Sequence, residues 1–202
     1  MTGVTSITGA GVHRAAAPHI DLVSDILTAA FLHGDLAPWL IPDEIERRRV
    51  YRPYFRMLAA HAVEHGRVDV IGEDACALWY DLGDDPDLTI DDYDRRLAEI
   101  TGPALPRFQQ IDEAMHRYHP RGRPHAYLAF LAVLPGRQGT GLGTALLDHR
   151  HAELTREDRP AYLEATGPAN SALYQRKGYQ PLGPFPVAPD GPHLHPMWWT
   201  SH

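Results

Sequence analysis

From Ala126 to Leu147 the chain reads A-Y-L-A-F-L-A-V-L-P-G-R-Q-G-T-G-L-G-T-A-L-L, and few folds accommodate that run. Ala126 to Leu134 is unbroken apolar sequence, too short for a membrane span and suited to a buried strand. Pro135 and Gly136 stop it. Arg137 and Gln138 lead into glycines at alternate positions, Gly139, Gly141 and Gly143. Leu142, Ala145, Leu146 and His149 then recur at helical spacing. A central strand therefore feeds a glycine loop, which opens a helix. A helix start leaves backbone N–H groups unpaired and carries partial positive charge. Glycines let a large anion approach that backbone. The alternative, a glycine-rich turn with no ligand, leaves three glycines weakening a helix start without a compensating use. Pyrophosphate binding is the expected chemistry.

Three phosphate loops are distinguishable here. A P-loop needs Gly-x-x-x-x-Gly-Lys-Ser/Thr. Gly136 and Gly141 have that spacing, but Leu142 and Gly143 follow. A dinucleotide fingerprint needs G-x-G-x-x-G, and Thr144 sits where its third glycine belongs. What remains, R-Q-G-T-G-L-G, resembles the acetyl-CoA loop of the GCN5-related N-acetyltransferases (GNAT superfamily), written Q/R-x-x-G-x-G/A. Gln138, Gly141 and Gly143 fill that pattern, with Gly139 as a common extra.

A second stretch, L-E-A-T-G-P-A-N-S-A-L-Y-Q-R-K-G-Y from Leu163 to Tyr179, is similar to the family's N-x-x-A/S-x-x-x-Y-x-x-x-G-F/Y. Asn170 and Tyr174 are four apart and share a helix face. The resemblance implies that Asn170 contacts the pantetheine arm and that Tyr174 lies near the thioester sulfur. It covers the last 80 or so residues closely and the N-terminal half only by order of elements. Within the family the chain resembles the puromycin N-acetyltransferase-like members of actinobacteria, through L-E-A-T-G-P-x-N, L-Y-x-x-x-G-Y and a late P-x-G-P. That subgroup does not fix the substrate.

The resemblance implies an α/β (α+β) fold: a mixed central sheet of about six to seven strands flanked by helices, splayed between strands four and five. Periodicity supports the order. A short strand is expected over Val12 to Ala16, and a helix from Pro18 with Ile20, Val23, Leu27 and Phe31 on one face. An apolar loop follows over Asp35 to Asp43, then a long helix from Asp43 to about His65, ended by Gly66. Arg47, Arg48 and Arg49 read as a solvated face of it. Arg67 to Ile71 and Ala75 to Tyr80 read as a hairpin, followed by an acidic loop, Asp81 to Asp87. Two helices, marked by Ile90, Tyr93, Leu97 and Ile100 and by Phe108, Ile111, Met115 and Tyr118, intervene before the central strand. The family's minimal members lack them, so they are an insertion expected to contribute to the acceptor site. Ala161 to Thr166, a helix from Asn170 to Lys177 and a last strand near Met197 to Thr200 complete the chain.

The 202 residues suit a single N-acetyltransferase domain, with residues 1–10 expected to be flexible. A net charge of −7 argues against nucleic acid as a partner and favours cationic small molecules. Cys76 is the only cysteine, so no intrachain disulfide forms, and the N-terminus lacks the pattern of a signal peptide. A cytoplasmic protein without a membrane partner is expected, with a homodimer possible in this family. His149-x-His151 falls on a helix and His193-x-His195 lacks accompanying ligands, so no metal is expected.

The expected reaction is acetyl transfer from acetyl-CoA to a primary amine of a small molecule, by direct attack in a ternary complex. The expected cofactor-binding residues are Leu131, Ala132, Val133, Arg137, Gln138, Gly139, Thr140, Gly141, Leu142, Gly143, Thr144, Asn170 and Tyr174. The oxyanion needs a backbone N–H, with Val133 the candidate at the splayed strand end. The departing thiol has a pKa of about 8.5 and a phenol about 10, so Tyr174, the acid by resemblance, can protonate it. Many family members carry a glutamate on the fourth strand; this chain does not. Glu164 on the fifth is the best carboxylate, as base or as cation anchor, with His125 and Tyr127 behind it. Trp39, Tyr127 and Glu164 are the expected substrate contacts. A catalytically degenerate acyl-CoA-binding regulatory module, and a protein N-terminal or lysine acetyltransferase with an open peptide groove, are the alternatives.

Overall fold

The computed structural model describes residues 11–201; the expectation for residues 1–10 lies outside them. Strand β1 (Val12–Arg14) is followed by a single 3₁₀ turn and helix α1 (Ile20–Phe31). The stretch expected as loop contains a one-turn helix, α2 (Ala37–Leu40), whose Ala37 and Leu40 are buried. Helix α3 (Glu44–His65) starts where Asp43 accepts from the Glu46 N–H at 2.8 Å. Strands β2 (Arg67–Ile71) and β3 (Ala75–Leu82) form the hairpin. The insertion supplies α4 (Tyr93–Thr101) and α5 (Leu105–Tyr118). Then come β4 (His125–Val133), α6 (Leu142–Arg156), β5 (Ala161–Ala165), α7 (Pro168–Arg176), β6 (Gln180–Pro181), β7 (Phe185–Pro186) and β8 (His193–Trp199). No described helix is long and apolar enough to cross a membrane.

The sheet runs β1-β2-β3-β4-β5-β8-β6, with β7 on β8. Six of its strands have three residues or more; β6 and β7 are two-residue additions. Every pairing is antiparallel except β4 with β5. That parallel ladder holds only Ala126 opposite Ala161 and Tyr127 opposite Tyr162, so the strands part beyond it. A bulge adds to the separation: Leu78 faces Phe130 and Trp79 faces Leu128, leaving Ala129 unmatched. The bulge also switches which face each β4 side chain meets. Ala126, Leu128, Leu131 and Val133 join the core under α6, whereas Tyr127, Phe130 and Ala132 join the core under α1 and α3.

Arg47 departs from expectation. Three consecutive helical residues span about 200° of the barrel, so one of the arginines must turn inward. Arg47 stands three and four residues before the buried Val50 and Tyr51 and is only 5% exposed. Its guanidinium donates to the carbonyls of Leu32 at 2.6 Å, Ile41 at 2.9 Å and Pro42 at 3.2 Å. It thereby ties the α1–α3 connection to α3. Arg48 and Arg49 stay on the surface with Glu44 and Glu46.

Candidate active site

The glycine loop stands at the end of β4. Leu134 N–H donates to Asp74 O at 2.8 Å, on the β3 side. Backbone groups alternate along a strand, so the N–H and C=O of Val133 face away from β3. The Val133 carbonyl accordingly accepts from the Gln138 amide at 3.3 Å. Thr140 Oγ1 donates to Arg137 O at 2.6 Å, folding the loop on itself, and the Arg137 guanidinium is held by Asp74. Gly139 and Gly141 have φ of +75° and +89°, and nothing lies within 4 Å of where a Cβ would project from either. Gly141 caps α6 without a side-chain bond, so the first N–H groups of α6 have no intrahelical or side-chain cap partner. Gly143 differs: the Leu131, Val133 and Leu173 side chains surround it at 3.7–3.8 Å. This helix start, with its uncapped N–H groups behind a glycine loop, fits the pyrophosphate of acetyl-CoA.

Beneath it a cavity of about 560 Å³ opens in the gap between β4 and β5. β4 lines it with Tyr127 through Leu131, β5 with Leu163 through Ala165, and α7 with Asn170 and Tyr174. The remaining walls come from the α1–α2 connection, α3, and the insertion. Aromatic side chains dominate these: Phe31, Tyr54, Phe55, Tyr93 and Phe108. The carboxylates on the wall are Asp35, Asp87, Asp112 and Glu164, and no lysine or arginine is among the lining residues.

Of the residues expected to act, Leu131, Asn170, Tyr174, Tyr127 and Glu164 line this cavity. Arg137 through Thr144 lie outside it, on the loop and the first turn of α6. Ala132 is buried on the opposite face of β4 from Leu131 and Val133. Trp39 is not on the cavity wall, although its neighbours Leu36, Ala37 and Leu40 are. Its ring lies under the Arg107 guanidinium, 5.5 Å from it, and packs towards Ile111 and Met115. The connection instead reaches the site through Asp35, whose carboxylate occupies the place a side chain at Gly167 would take.

Tyr174 is 8% exposed, and its ring meets Tyr179 edge-on at 5.7 Å. Burial alone pushes its phenol well above the ordinary range, so it is fully protonated at neutral pH. Asn170 Nδ2 donates to Thr166 Oγ1 at 3.1 Å. Glu164 is 3% exposed at its side chain, with Oε1 lacking a hydrogen-bond partner among the described residues. Its nearest base is His119, with Nδ1 3.6 Å from that oxygen. Asp112 accepts from the Tyr93 hydroxyl at 2.9 Å, and burial raises its carboxyl to about 6.

Asp112 and His119 escaped the sequence reading. The signal is their helical spacing: Phe108, Asp112, Met115 and His119 stand four, three and four apart, beside the apolar row Phe108, Ile111, Met115 and Tyr118 of α5. Apolar periodicity alone does not single out the polar members of such a row. Among the described residues no three histidines, cysteines or carboxylates converge as a metal site. His151 is buried, stacked on Trp199 at 4.3 Å and bonded to the Tyr179 hydroxyl at 3.1 Å; His149 is exposed.

Residues 108–181, which carry α5, the glycine loop and α7, match the model of the acetyltransferase (GNAT) domain family. Among solved structures, the chain is 29% identical to one described as histone acetyltransferase HPA2 and related acetyltransferase from Corynebacterium glutamicum, with a TM-score of 0.74. That match covers 95% of this chain and 96% of the other. Arylalkylamine N-acetyltransferase 2 from Aedes aegypti shares the fold at 14% identity and a TM-score of 0.63, over 95% of this chain and 98% of its own. The ribosomal-protein-S18-alanine N-acetyltransferase of Escherichia coli does so at 19% and 0.55, over 95% and 94%.

Proposed function

We propose that this chain, which belongs to the GNAT superfamily of acetyltransferases, transfers the acetyl group of acetyl-CoA to a primary amine of a small molecule by direct attack in a ternary complex. The observation that carries this reading is the cavity between β4 and β5, walled by aromatic rings and carboxylates and free of lysine and arginine. An apolar pocket with a few convergent polar groups suits a small organic ligand. Its negative lining suits one that arrives as an ammonium ion. A peptide acceptor, which the names of two structural neighbours would suggest, calls for an open groove, and the walls contributed by α4 and α5 argue against one. The resemblance to puromycin N-acetyltransferase rests on shared motifs alone, and the acceptor proposed is an amine with an apolar or aromatic body, not puromycin in particular.

Bound acetyl-CoA supplies the thioester carbonyl to be attacked and the thiolate that leaves. Gln138 through Thr144 hold the pyrophosphate on the N–H groups that open α6, with Arg137 beside them. Leu131, Ala132 and Val133 run beside the pantetheine arm, and Asn170 contacts it from α7. Val133 N–H, turned into the gap, stabilises negative charge developing on the carbonyl oxygen. Tyr174, kept protonated by burial, donates its proton to the departing sulfur. Glu164 and Tyr127 face the amine. An aligned acid on the cavity wall also weighs against a degenerate binding module.

A thiol-release assay over a panel of small amines and N-terminal or lysine-bearing peptides tests the proposal. Acetylation of small amines is expected. Turnover on peptides alone, or acetyl-CoA binding without turnover on any amine, would replace it with one of the alternatives.

A further inference from the structure

A chain of buried groups leads out of the cavity from Glu164. His119 Nδ1 faces Glu164 Oε1 at 3.6 Å, and its Nε2 lies 3.0 Å from His125 Nε2. His125 Nδ1 is 2.6 Å from the Arg123 carbonyl. The far end fixes every proton along this row. A carbonyl only accepts, so His125 must carry a proton on Nδ1. His125 is fully buried, and its burial lowers its pKa, which keeps it singly protonated. Its Nε2 is therefore an acceptor, and His119 must donate from Nε2. With that proton spent, the ring nitrogen of His119 left to take up a proton is Nδ1, 3.6 Å from Glu164 Oε1. The separation of 3.6 Å is beyond hydrogen-bonding distance. Glu164 Oε1 has no donor within hydrogen-bonding distance among the described residues, the Tyr127 and Tyr162 hydroxyls being its other polar neighbours.

We propose that this Glu164–His119 pair is the base of the reaction, with His119 Nδ1 the catalytic proton acceptor. This proposal rests on the acetyltransferase reading above. The acceptor enters as an ammonium ion and gives one proton to Nδ1, where Glu164 shares it. The freed amine nitrogen attacks the thioester carbon, the C–N bond forms and the C–S bond breaks. Tyr174 gives its proton to sulfur and recovers one from the new amide nitrogen. The proton held by His119 then leaves to solvent, so that ammonium plus thioester yields amide, thiol and one proton.

The setting suits a group that gains and loses charge. His119 closes the C-terminal end of α5, its N–H bonded to Met115 O at 2.9 Å, where the helix dipole favours a cation. The rings of Tyr127 from β4 and Tyr162 from β5 stand edge-on to it at 4.8 and 4.7 Å and keep bulk water away. His125 and Glu164 are its other titratable neighbours; the Arg159 guanidinium meets the His125 carbonyl, 3.2 Å away, and the Arg123 guanidinium stacks on Trp198 instead. His125 is a positioning residue: it never meets the amine, and its tautomer decides which nitrogen of His119 is free.

Two measurements test this. In ¹⁵N NMR of the protein without ligands, His125 should carry its proton on Nδ1 and His119 on Nε2. The opposite tautomer at either ring overturns the relay, whether or not an amine substrate is known. In kinetics, His119→Gln keeps a donor towards His125 and cannot take a proton. It should be compared on 2-phenylethylamine and its weakly basic β,β-difluoro analogue, which arrives largely as the free amine. Loss of kcat/KM by roughly 10²-fold or more is expected on the strong base, and a loss at least about tenfold smaller on the weak one. Equal losses on both would make His119 structural only and end the proposal. Wild-type protein that acetylates no amine would instead sink the functional reading, and the tautomers would still decide the relay.

Discussion

Replacing Tyr174 with phenylalanine should separate packing from proton delivery. The ring contributes to the core through its edge-on contact with Tyr179 and its position on α7 beneath the cavity, and phenylalanine reproduces both. The hydroxyl contributes little to the fold, because burial is the sole cause of its raised pKa and no bonded partner lowers or raises it further. Removing a hydroxyl that bonds no protein group forfeits no net hydrogen bond, so stability should change by under about 1 kcal/mol. Affinity for acetyl-CoA should hold as well, since the glycine loop is untouched. The rate is another matter. A general acid is worth roughly 10²–10⁴-fold, or about 2.7–5.5 kcal/mol of barrier. The deficit should fall on kcat, because the proton is needed in the transition state and not for binding. The assay is release of free CoA thiol at saturating amine and acetyl-CoA, with single-turnover mixing to isolate chemistry from product release. Tyr174→Ala serves as the packing control and should lose acetyl-CoA affinity. Single-turnover rates in Tyr174→Phe within a few-fold of wild type would refute the reasoning.

Gly141→Val forces a β-branched residue to φ +89° at the start of α6, straining the loop by about 1–3 kcal/mol; acetyl-CoA should no longer raise its melting temperature, and an undiminished shift in thermal-melt assays would rule out the loop as the pyrophosphate site. Arg47→Met leaves the carbonyls of Leu32, Ile41 and Pro42 without their shared donor. It should cost on the order of 3 kcal/mol in denaturant titrations and raise KM for the amine, because those carbonyls anchor the connection that walls the cavity; wild-type stability would show the anchor to be dispensable. Asp112→Asn exchanges stability for binding. Its carboxyl is raised from 3.8 to about 6 by burial, so it favours the fold below pH 4 and that contribution is lost as pH rises through 6. The asparagine variant should thus melt higher at pH 8, by an equivalent of about 2–3 kcal/mol, gain little at pH 4, and bind cationic amines less well. A variant that melts lower at pH 8, or binds them equally, would contradict the assignment.

The parts of the site that were legible in the sequence are those built from contiguous residues. β4, the glycine loop and the start of α6 form one uninterrupted segment, and their spacing is their geometry. Asn170 and Tyr174 share a helix face for the same reason. Residues that meet across elements were less legible. Arg47 looks like its neighbours in the row and is sorted from them only by the carbonyls it finds after folding. The acidic loop adds to the net negative charge, but its carboxylates are largely paired: Asp81 with Arg150 and Arg159, and Asp85 and Asp87 with Arg121. Trp39 lies in the connection that the family resemblance makes a wall, but its ring sits under the Arg107 guanidinium while Leu36, Ala37 and Leu40 line the cavity. The bulge at Ala129 was invisible in an all-apolar strand, since alternation carries no signal there.

On the proposed function, the cavity's charge and its apolar walls act in sequence on one substrate. Asp35, Asp112 and Glu164, which pair with no lysine or arginine among the described residues, would draw in an ammonium ion, yet an ammonium ion cannot attack a carbonyl. Burial among Phe31, Tyr54, Phe55, Tyr93 and Phe108 then disfavours the charged amine relative to the neutral one, lowering its pKa once bound. The displaced proton must go to a group within the same dry volume. Among the described residues, the carboxylate on a sheet strand lining the gap is Glu164, and His119 Nδ1 stands 3.6 Å from it. His119 belongs to the end of α5, so the insertion that shapes the acceptor pocket also brings the nitrogen that can take its proton. A chain lacking these two helices would keep Tyr174 and the glycine loop but would have to draw its base from the strands, which in this sequence hold none beside the thioester except Glu164.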